Sequence, residues 1–339
     1  MLVENTDQLM SRVGLTRPPR SEEKVETEEC KAIDWFSTME ISDINSMMRT
    51  WHGHETRLSL SLSMSTIFLH NFATSPFGEK VRLILGLKSL QWKSVDAELV
   101  MPKPNLTALT GGYRKNTGGN RGLCVALSEW SDRPLHISSS GLAIGVNKRD
   151  FPTNLMADRK KFFEGFMDIK KIEAEIPHLK SQLRAHAALI EEQLSDGRRF
   201  WLGEEPSLAD FHAYVEIWTV RAFVPSVTEI LRGFCKIEEW ENRVKQIGHG
   251  EMSLATVEEA HEVAQVSTGL PGRGVEVDNL LGLSKDDLVT VIPDDYGKEP
   301  VVGRLVTLSL REVAVERDDA LVGKVTVHFP RIGYRIIKA

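Results

Sequence analysis

The chain has 339 residues, 41% of them hydrophobic and 27% charged, and a formal net charge of -6. Such a length suits two or three domains of about 100–200 residues each, and the mild acidity excludes a general attraction to nucleic acid or to an anionic membrane. Cys30, Cys124 and Cys235 are scattered and odd in number, which fits neither a disulfide framework nor a metal cluster. No apolar run nears the ~18 residues of a membrane span, and the N-terminus lacks a basic and apolar leader, so the expected location is the cytoplasm.

Residues 1–63 carry SEEKVETEE and SLSLSMS, runs too polar to bury much surface against their ordering entropy, and read as a disordered extension. Within them His52, His54 and Glu55 lack the further placed ligands of a zinc site, so no metal is expected. From Thr66, TIFLHNF reads as a buried strand, Ala73 to Ser75 as a turn, and Pro76 as the first residue of a helix. Ser75 caps that helix, and Pro76 sits where its missing N–H costs nothing. Val81, Ile84, Leu85 and Leu87 form its apolar stripe. WKSVDAE gives a second strand, and the prolines of MPKPNLTAL give an extended or turning loop.

Helices dominate next, over Leu123 to Asp132 and Asp158 to Lys171. A cleaner one opens at Pro177, with Leu179, Leu183, Ala187, Ile190 and Leu194 at helical spacing before Gly197. Ser207 and Asp210 make a serine-x-x-acid box ahead of Phe211, Tyr214, Val215, Trp218 and Ala222. A short helix is expected from Lys236 to Ile247, one more within residues 250–266, and a linker at STGLPGRG. The segments LVTVIP, GRLVTLSL, REVAVER, GKVTVHF and YRIIKA then alternate apolar and polar residues. About five short strands of this kind close most economically into an SH3-like barrel, because closure removes exposed edges. Tyr296, Phe329, Tyr334, Arg331 and Arg335 serve there either as a binding face or, for the aromatics, as core.

Two of these motifs, ATSPFGEKVRLIL (Ala73 to Leu85) and FWLGEEPSLADFHAYVEIW (ending at Trp218), together resemble the glutathione S-transferase family. The first is similar to the segment after the first strand of the thioredoxin-like domain in serine- and cysteine-type transferases. The second is similar to the capped helix at the centre of the family's all-helical domain. MPKPNLTALTGGYRK looks like a branch that appends a C-terminal β-domain. The resemblance covers about residues 65–248 and implies an α/β plus all-α protein. Its expected parts are an extension at 1–63, an incomplete thioredoxin-like domain at 64–122, a helical transferase domain at 123–266, and a small SH3-like β-barrel at 275–339. It also implies glutathione as co-substrate, a small electrophile as its acceptor, a detoxification role, and a homodimer.

A transferase must hold the thiol of glutathione as a thiolate. Ser75 is the candidate catalytic residue, since a helix N-terminus with a hydroxyl donor favours the anion; thiols at such places fall from about 8.5 to roughly 3.5–7.5. The backbone amides of Phe77 and Gly78 add donors, Pro76 opens the helix, and Phe72 and Phe77 frame the electrophile pocket by their nearness to Ser75. By local pattern alone, serine before proline is a helix cap, and both readings stay open. Ser207 and Asp210 read as reciprocal capping worth about 1 kcal/mol. His212 has no assignable partner carboxylate. Trp218, Arg221 and Phe223 are candidates for the cleft between domains, with core as the alternative for the tryptophan.

Between Gly111 and Asp132 the family would place two strands, a cis-proline loop, and a Glu/Asp-Ser pair for the γ-glutamyl group. This chain has no alternating run there and no proline before Pro134, and its Ser128-Glu129 pair has the wrong order inside a helical pattern. At usual element lengths about thirty residues are missing. A two-stranded remnant is marginal, and Thr56 to Ser63 (TRLSLSLS) is the best substitute strand by alternation. The enzyme reading therefore competes with a non-catalytic, transferase-like scaffold. A phosphate site on the Gly111 to Gly122 loop, with Arg114, Lys115 and Arg121, fails the Walker pattern.

Overall fold

The computed structural model describes residues 66–101, 103–110, 122–269 and 271–339. The expectations for residues 1–63, for Thr56 to Ser63, for His52 and His54, and for the loop around Arg114, Lys115 and Arg121 lie outside the described residues. Strand β1 (Phe68–Asn71) leads through a tight turn to helix α1 (Pro76–Leu87), and β2 (Gln91–Asp96) returns parallel to β1. MPKPNLTAL, expected as a loop, instead ends in a short helix α2 (Pro104–Thr110). Pro104 opens it at a position where proline is tolerated.

Helix α3 (Gly122–Trp130) runs through a π-helical turn, Ser131–Leu135, into α4 (His136–Asn147). Pro134 sits inside that turn, and the missing N–H and its ring account for the wide step in the hydrogen-bond ladder. Helix α5 (Thr153–Phe162) is followed by turns, so the helix expected from Asp158 to Lys171 starts earlier and stops short. The long α6 (Ile176–Gln193) buries Leu179, Leu183, Ala187 and Ile190 on one stripe. Helix α7 (Leu208–Phe223) is buried continuously from Leu208 to Val220, as befits a helix surrounded by others. The short α8 (Val227–Ile230) and α9 (Cys235–Lys245) complete the helical unit. The start of α7 is the expected box: the Ser207 N–H donates to Asp210 Oδ2 at 2.8 Å. Asp210 also accepts from the Trp201 N–H at 2.7 Å and the Trp240 indole N–H at 2.9 Å.

Residues 250–266, expected to add a helix to this unit, supply more. Strand β3 (Glu251–Leu254) pairs parallel with β2, and α10 (Val257–Val266) follows it. The first sheet is therefore three strands in the order β1-β2-β3, all parallel, and its last strand returns from beyond the helices. That return is built closely. A Cβ on Gly86 would lie 2.0 Å from the Gly248 carbonyl oxygen, and Gly250 takes φ +71 beneath the Leu90 carbonyl.

After a two-residue strand β4 (Gly274–Val275), strands β5 (Leu288–Pro293), β6 (Val301–Leu308), β7 (Glu312–Asp319), β8 (Gly323–Pro330) and β9 (Tyr334–Lys338) form an antiparallel sheet, order β8-β7-β6-β5-β9, with β4 joined to β6. The alternating segments are thus strands, as expected, but the barrel does not close. β8 and β9 are sequence neighbours that pair to opposite ends, β8 with β7 and β9 with β5, and not with each other. Val289, Val291, Leu305, Val313, Val315 and Phe329 fill its core.

Candidate functional site

Ser75 takes an extended conformation (φ -77, ψ 120) as the N-cap of α1, and its Oγ accepts the Gly78 N–H at 3.1 Å. Because the oxygen accepts that bond, the hydroxyl proton remains available to an anion at the positive end of the helix. The cap is held from behind. Arg82 donates to the Asn71 side chain and, at 3.1 Å, to the Ala73 carbonyl, which fixes the turn before Ser75. Asn71 donates to Ser94 Oγ on β2 at 3.0 Å, and Arg82 pairs with Glu79 at 2.8 Å. Glu79 meets His249 Nε2 at 3.0 Å, and the Trp92 indole donates to the His249 carbonyl at 2.7 Å. Burial alone would raise the Glu79 carboxyl, yet the His249 hydrogen bond and the Arg82 charge hold it below its ordinary value. The segment before β3 thus braces the helix that carries Ser75.

Of the expected pocket residues, Phe77 and Phe72 part company. Phe77 points its ring toward His136, at 5.3 Å between centroids, and Tyr296, at 6.2 Å. Phe72 instead lies under the Lys103 ammonium, 5.8 Å from the ring centroid. Pro76 is the first helical residue, and Gly78 packs so near Asn71 that a Cβ would sit 3.2 Å from Asn71 Cβ. Trp218 is core, at 6% exposure, and Phe223 packs against that core. Arg221 is taken by Glu241, at 2.6 Å. These three therefore do not join Ser75.

Two buried acid–histidine pairs lie next to the cap and were not foreseen. Lys80, one turn into α1, donates to both Asp132 oxygens at 3.0 and 3.1 Å. His212 Nδ1 meets Asp132 Oδ1 at 2.9 Å and the Lys80 ammonium at 3.1 Å, so one ring nitrogen faces both an acceptor and a donor. One turn further along both elements the order reverses: His136 Nδ1 meets Glu216 at 3.0 Å, and Ser139 also donates to Glu216. Asp132 and His136 are thus four apart on one element, facing His212 and Glu216 four apart on the other. That reciprocal spacing was the sequence signal, visible only once the pairing of the helices is known. Burial would raise the Asp132 carboxyl, but the adjacent His212 and Lys80 hold it well below the usual range. Burial pushes the His212 imidazole down, with Asp132 opposing and Lys80 adding to the shift.

Tyr296, expected to serve the β-sheet, lies 2% exposed among helical-unit aromatics. Its ring stacks on His136 at 5.6 Å and 18°, and touches Phe166 at 4.7 Å and Phe162 at 5.3 Å. Among the described residues no group of three side chains suits a metal ion, and no helix is long and apolar enough to cross a membrane.

A parallel β-α-β unit with a capped helix start, joined to an all-helical unit, defines a two-part thioredoxin-like and helical fold. Residues 69–115 match the glutathione S-transferase N-terminal domain and residues 156–247 the glutathione S-transferase C-terminal domain. Among solved structures, a GST-like protein from Pseudomonas syringae shares 29% identity and a TM-score of 0.62, over 81% of this chain and 100% of its own. FzlA from C. crescentus shares 20% over 52% of this chain and 87% of its own, with a TM-score of 0.38. Glutathione transferase F7 from Populus trichocarpa shares 14% over 53% and 96%, also at 0.38. No curated protein matches the chain.

Proposed function

We propose that this chain is a glutathione-dependent transferase in which Ser75 orients the glutathione thiolate toward a small electrophile. The observation that carries the reading is the Ser75 cap: its oxygen is occupied by the Gly78 N–H, which leaves its O–H free at a helix N-terminus. The thiol end of glutathione fits this arrangement, with Pro76, Phe77 and Gly78 forming the first turn beneath it. Phe77 faces the acceptor side, while Phe72 is tied to Lys103 and contributes at most to the opposite wall. Serine in place of cysteine directs the site to conjugation and away from mixed disulfides. A cytoplasmic setting and a homodimer belong to the same reading. So do the boundaries 64–122, 123–266 and 275–339, with 251–266 lent to the first sheet.

The test is retention on a glutathione matrix and conjugation of an aryl halide. Ser75→Ala should lose most turnover while melting as the wild type does within about 1 kcal/mol, the worth of a cap. Folded protein with neither retention nor turnover would remove the reading.

One observation favours a second reading, a transferase-like scaffold without catalysis. The first sheet is wholly parallel, and the strands expected to hold the cysteinyl and γ-glutamyl parts of glutathione have no counterpart among the described residues. Ser128 and Glu129 lie inside α3, not at a helix start.

A further inference from the structure

The C-terminal sheet is fixed to both halves of the molecule. Its β7–β8 turn reaches α2 and α10: Val322 is buried against Ala108 and Ala264, the Arg317 guanidinium donates to the Ala108 carbonyl at 2.7 Å, and the Gln265 side chain donates to the Leu321 carbonyl at 2.6 Å. Its β5–β6 loop reaches the helical unit, where the Gly297 N–H donates to the Phe162 carbonyl at 2.8 Å and Arg133 meets Asp294 at 3.2 Å. The same loop is tied to its own sheet by the Asp294 N–H, which donates to the Gly333 carbonyl at 3.0 Å. The Asp295 carboxylate accepts the Tyr296 N–H at 2.7 Å, and Asp295, Tyr296 and Glu299 have further partners. This firmly held arm delivers the Tyr296 ring, 2% exposed, to the first turn of α1. There Phe77, His136 and Tyr296 lie in mutual ring contact, with centroids 5.3, 5.6 and 6.2 Å apart, and each ring comes from a different unit. Gly78, next along the chain from Phe77, carries the N–H that Ser75 Oγ accepts, and the Glu79 N–H donates to the Ser75 carbonyl at 2.9 Å. Ring contacts in tilted and offset arrangements contribute beyond the area they bury, so the place of Phe77 depends on the rings around it.

We propose that Tyr296 is a positioning residue for the Ser75 cap, acting through Phe77, so that the C-terminal sheet is a working part of the site. The inference rests on the transferase reading only in giving the cap a catalytic task. Without the Tyr296 ring, Phe77 loses a neighbour and the first turn of α1 opens locally more often. The Gly78 bond to Ser75 Oγ is then formed for less of the time, and the helix start holds a thiolate less well.

The test is amide hydrogen exchange of the full-length protein, comparing wild type with Tyr296→Ala and Tyr296→Phe. In Tyr296→Ala the Gly78 and Glu79 amides should exchange about tenfold faster or more, the change expected for losing aromatic contacts of this kind. The Trp201 amide, bonded to Asp210 inside the helical unit, should keep its rate. Tyr296→Phe retains the ring and should restore wild-type exchange. Gly297→Ala keeps the tyrosine but moves the arm, since the added Cβ would lie 2.6 Å from Phe162 Cε2 at a φ of +62; it should act as Tyr296→Ala does. In aryl halide conjugation, the rise of kcat/KM with pH should move upward in Tyr296→Ala, toward the roughly 8.5 of a free thiol, and return with Tyr296→Phe. Wild-type exchange at Gly78 and Glu79 in folded Tyr296→Ala or Gly297→Ala overturns the proposal. So does equal acceleration at Trp201, the mark of a general loss of stability, or an active Tyr296→Ala enzyme with the wild-type pH profile. If Tyr296→Ala fails to fold, Gly297→Ala decides. Exchange needs no glutathione, so an inactive wild type removes the Ser75 reading while exchange alone still decides whether Tyr296 positions the cap.

Discussion

Lys80 joins the helix that carries Ser75 to the helical unit, and removing its charge has a cost that the geometry sets. Its side chain is 2% exposed and bonds both Asp132 oxygens, while Asp132 keeps 19% of its side chain exposed. Lys80→Met keeps most of the volume and leaves Asp132 with His212 alone. Breaking a buried pair from one side costs about 3–5 kcal/mol, and the partial exposure of Asp132 sets the expectation near 3 kcal/mol. The cost should also depend on pH. Burial first and Lys80 after it keep His212 below its ordinary value, so the unfolded wild-type chain takes up this proton before the native one as pH falls through about 6.5, and the wild type loses stability there. In the variant His212 protonates more readily and replaces the lost cation. The deficit of about 3 kcal/mol at about pH 8 should therefore shrink by about 1 kcal/mol or more at about pH 6. Urea unfolding followed by tryptophan fluorescence at both values measures it. A deficit equal at the two values, or below about 1 kcal/mol at the higher one, refutes the placement of Lys80 as the buried partner of Asp132.

Asp210→Ala removes the acceptor of the Ser207 N–H, the Trp201 N–H and the Trp240 indole together; at about 1–3 kcal/mol for each stranded donor that stays buried, a loss of 3 kcal/mol or more is expected in a thermal or urea melt, against about 1 kcal/mol for Ser207→Ala. His70 bears on acid stability: burial, aided by His261 and opposed by Glu98, pushes its imidazole down to about 4. A lowered histidine value means stability is present above about 6.5 and is lost as pH falls toward 4, by about 3 kcal/mol in all. Its Nε2 has no hydrogen-bond partner, so His70→Leu should flatten the fall in unfolding free energy between those values; an unchanged slope would show that the ring is solvated.

What the sequence made legible was local. The Ser75-Pro76 start, the Ser207 to Asp210 box and the alternating strands after the linker are each written within a few neighbouring residues, because a cap, a capping box or a two-residue period closes over that distance. The pairs Lys80 with Asp132, Asp132 with His212 and His136 with Glu216 span 52, 80 and 80 positions, and no periodicity within one segment carries such a contact. Strand β3 was hidden for the same reason. EMSL alternates polar and apolar residues over only four positions, too short a run to announce a strand, and all four are exposed; its place is set by the β2 edge, by Gly86 against the Gly248 carbonyl, and by His249 against Glu79 and Trp92. The open sheet differs from the expected barrel because closure depends on which ends pair, and alternation is silent about that.

That late strand changes the weight of the two functional readings. A β1-β2 pair alone is marginal, and a family domain missing its usual strands would leave Ser75 on an unsupported helix. Here the chain passes through the whole helical unit and returns to cover β2. Just before that strand, His249 bonds Glu79, which pairs with Arg82, which fixes the turn at Ala73. The Ser75 end of the candidate site is therefore supported by contacts drawn from distant parts of the chain, and Lys80 locks the same helix to α7 through Asp132 and His212. No comparable support replaces the γ-glutamyl end among the described residues. If Ser75 works, glutathione should be held mainly by its thiol and less by its γ-glutamyl group, so a thiol lacking that group, such as cysteinylglycine, should be conjugated with a kcat/KM within about tenfold of that for glutathione, a difference of about 1.4 kcal/mol. A preference for glutathione of about a thousandfold or more, some 4 kcal/mol, would mean that the γ-glutamyl group has a binding site after all.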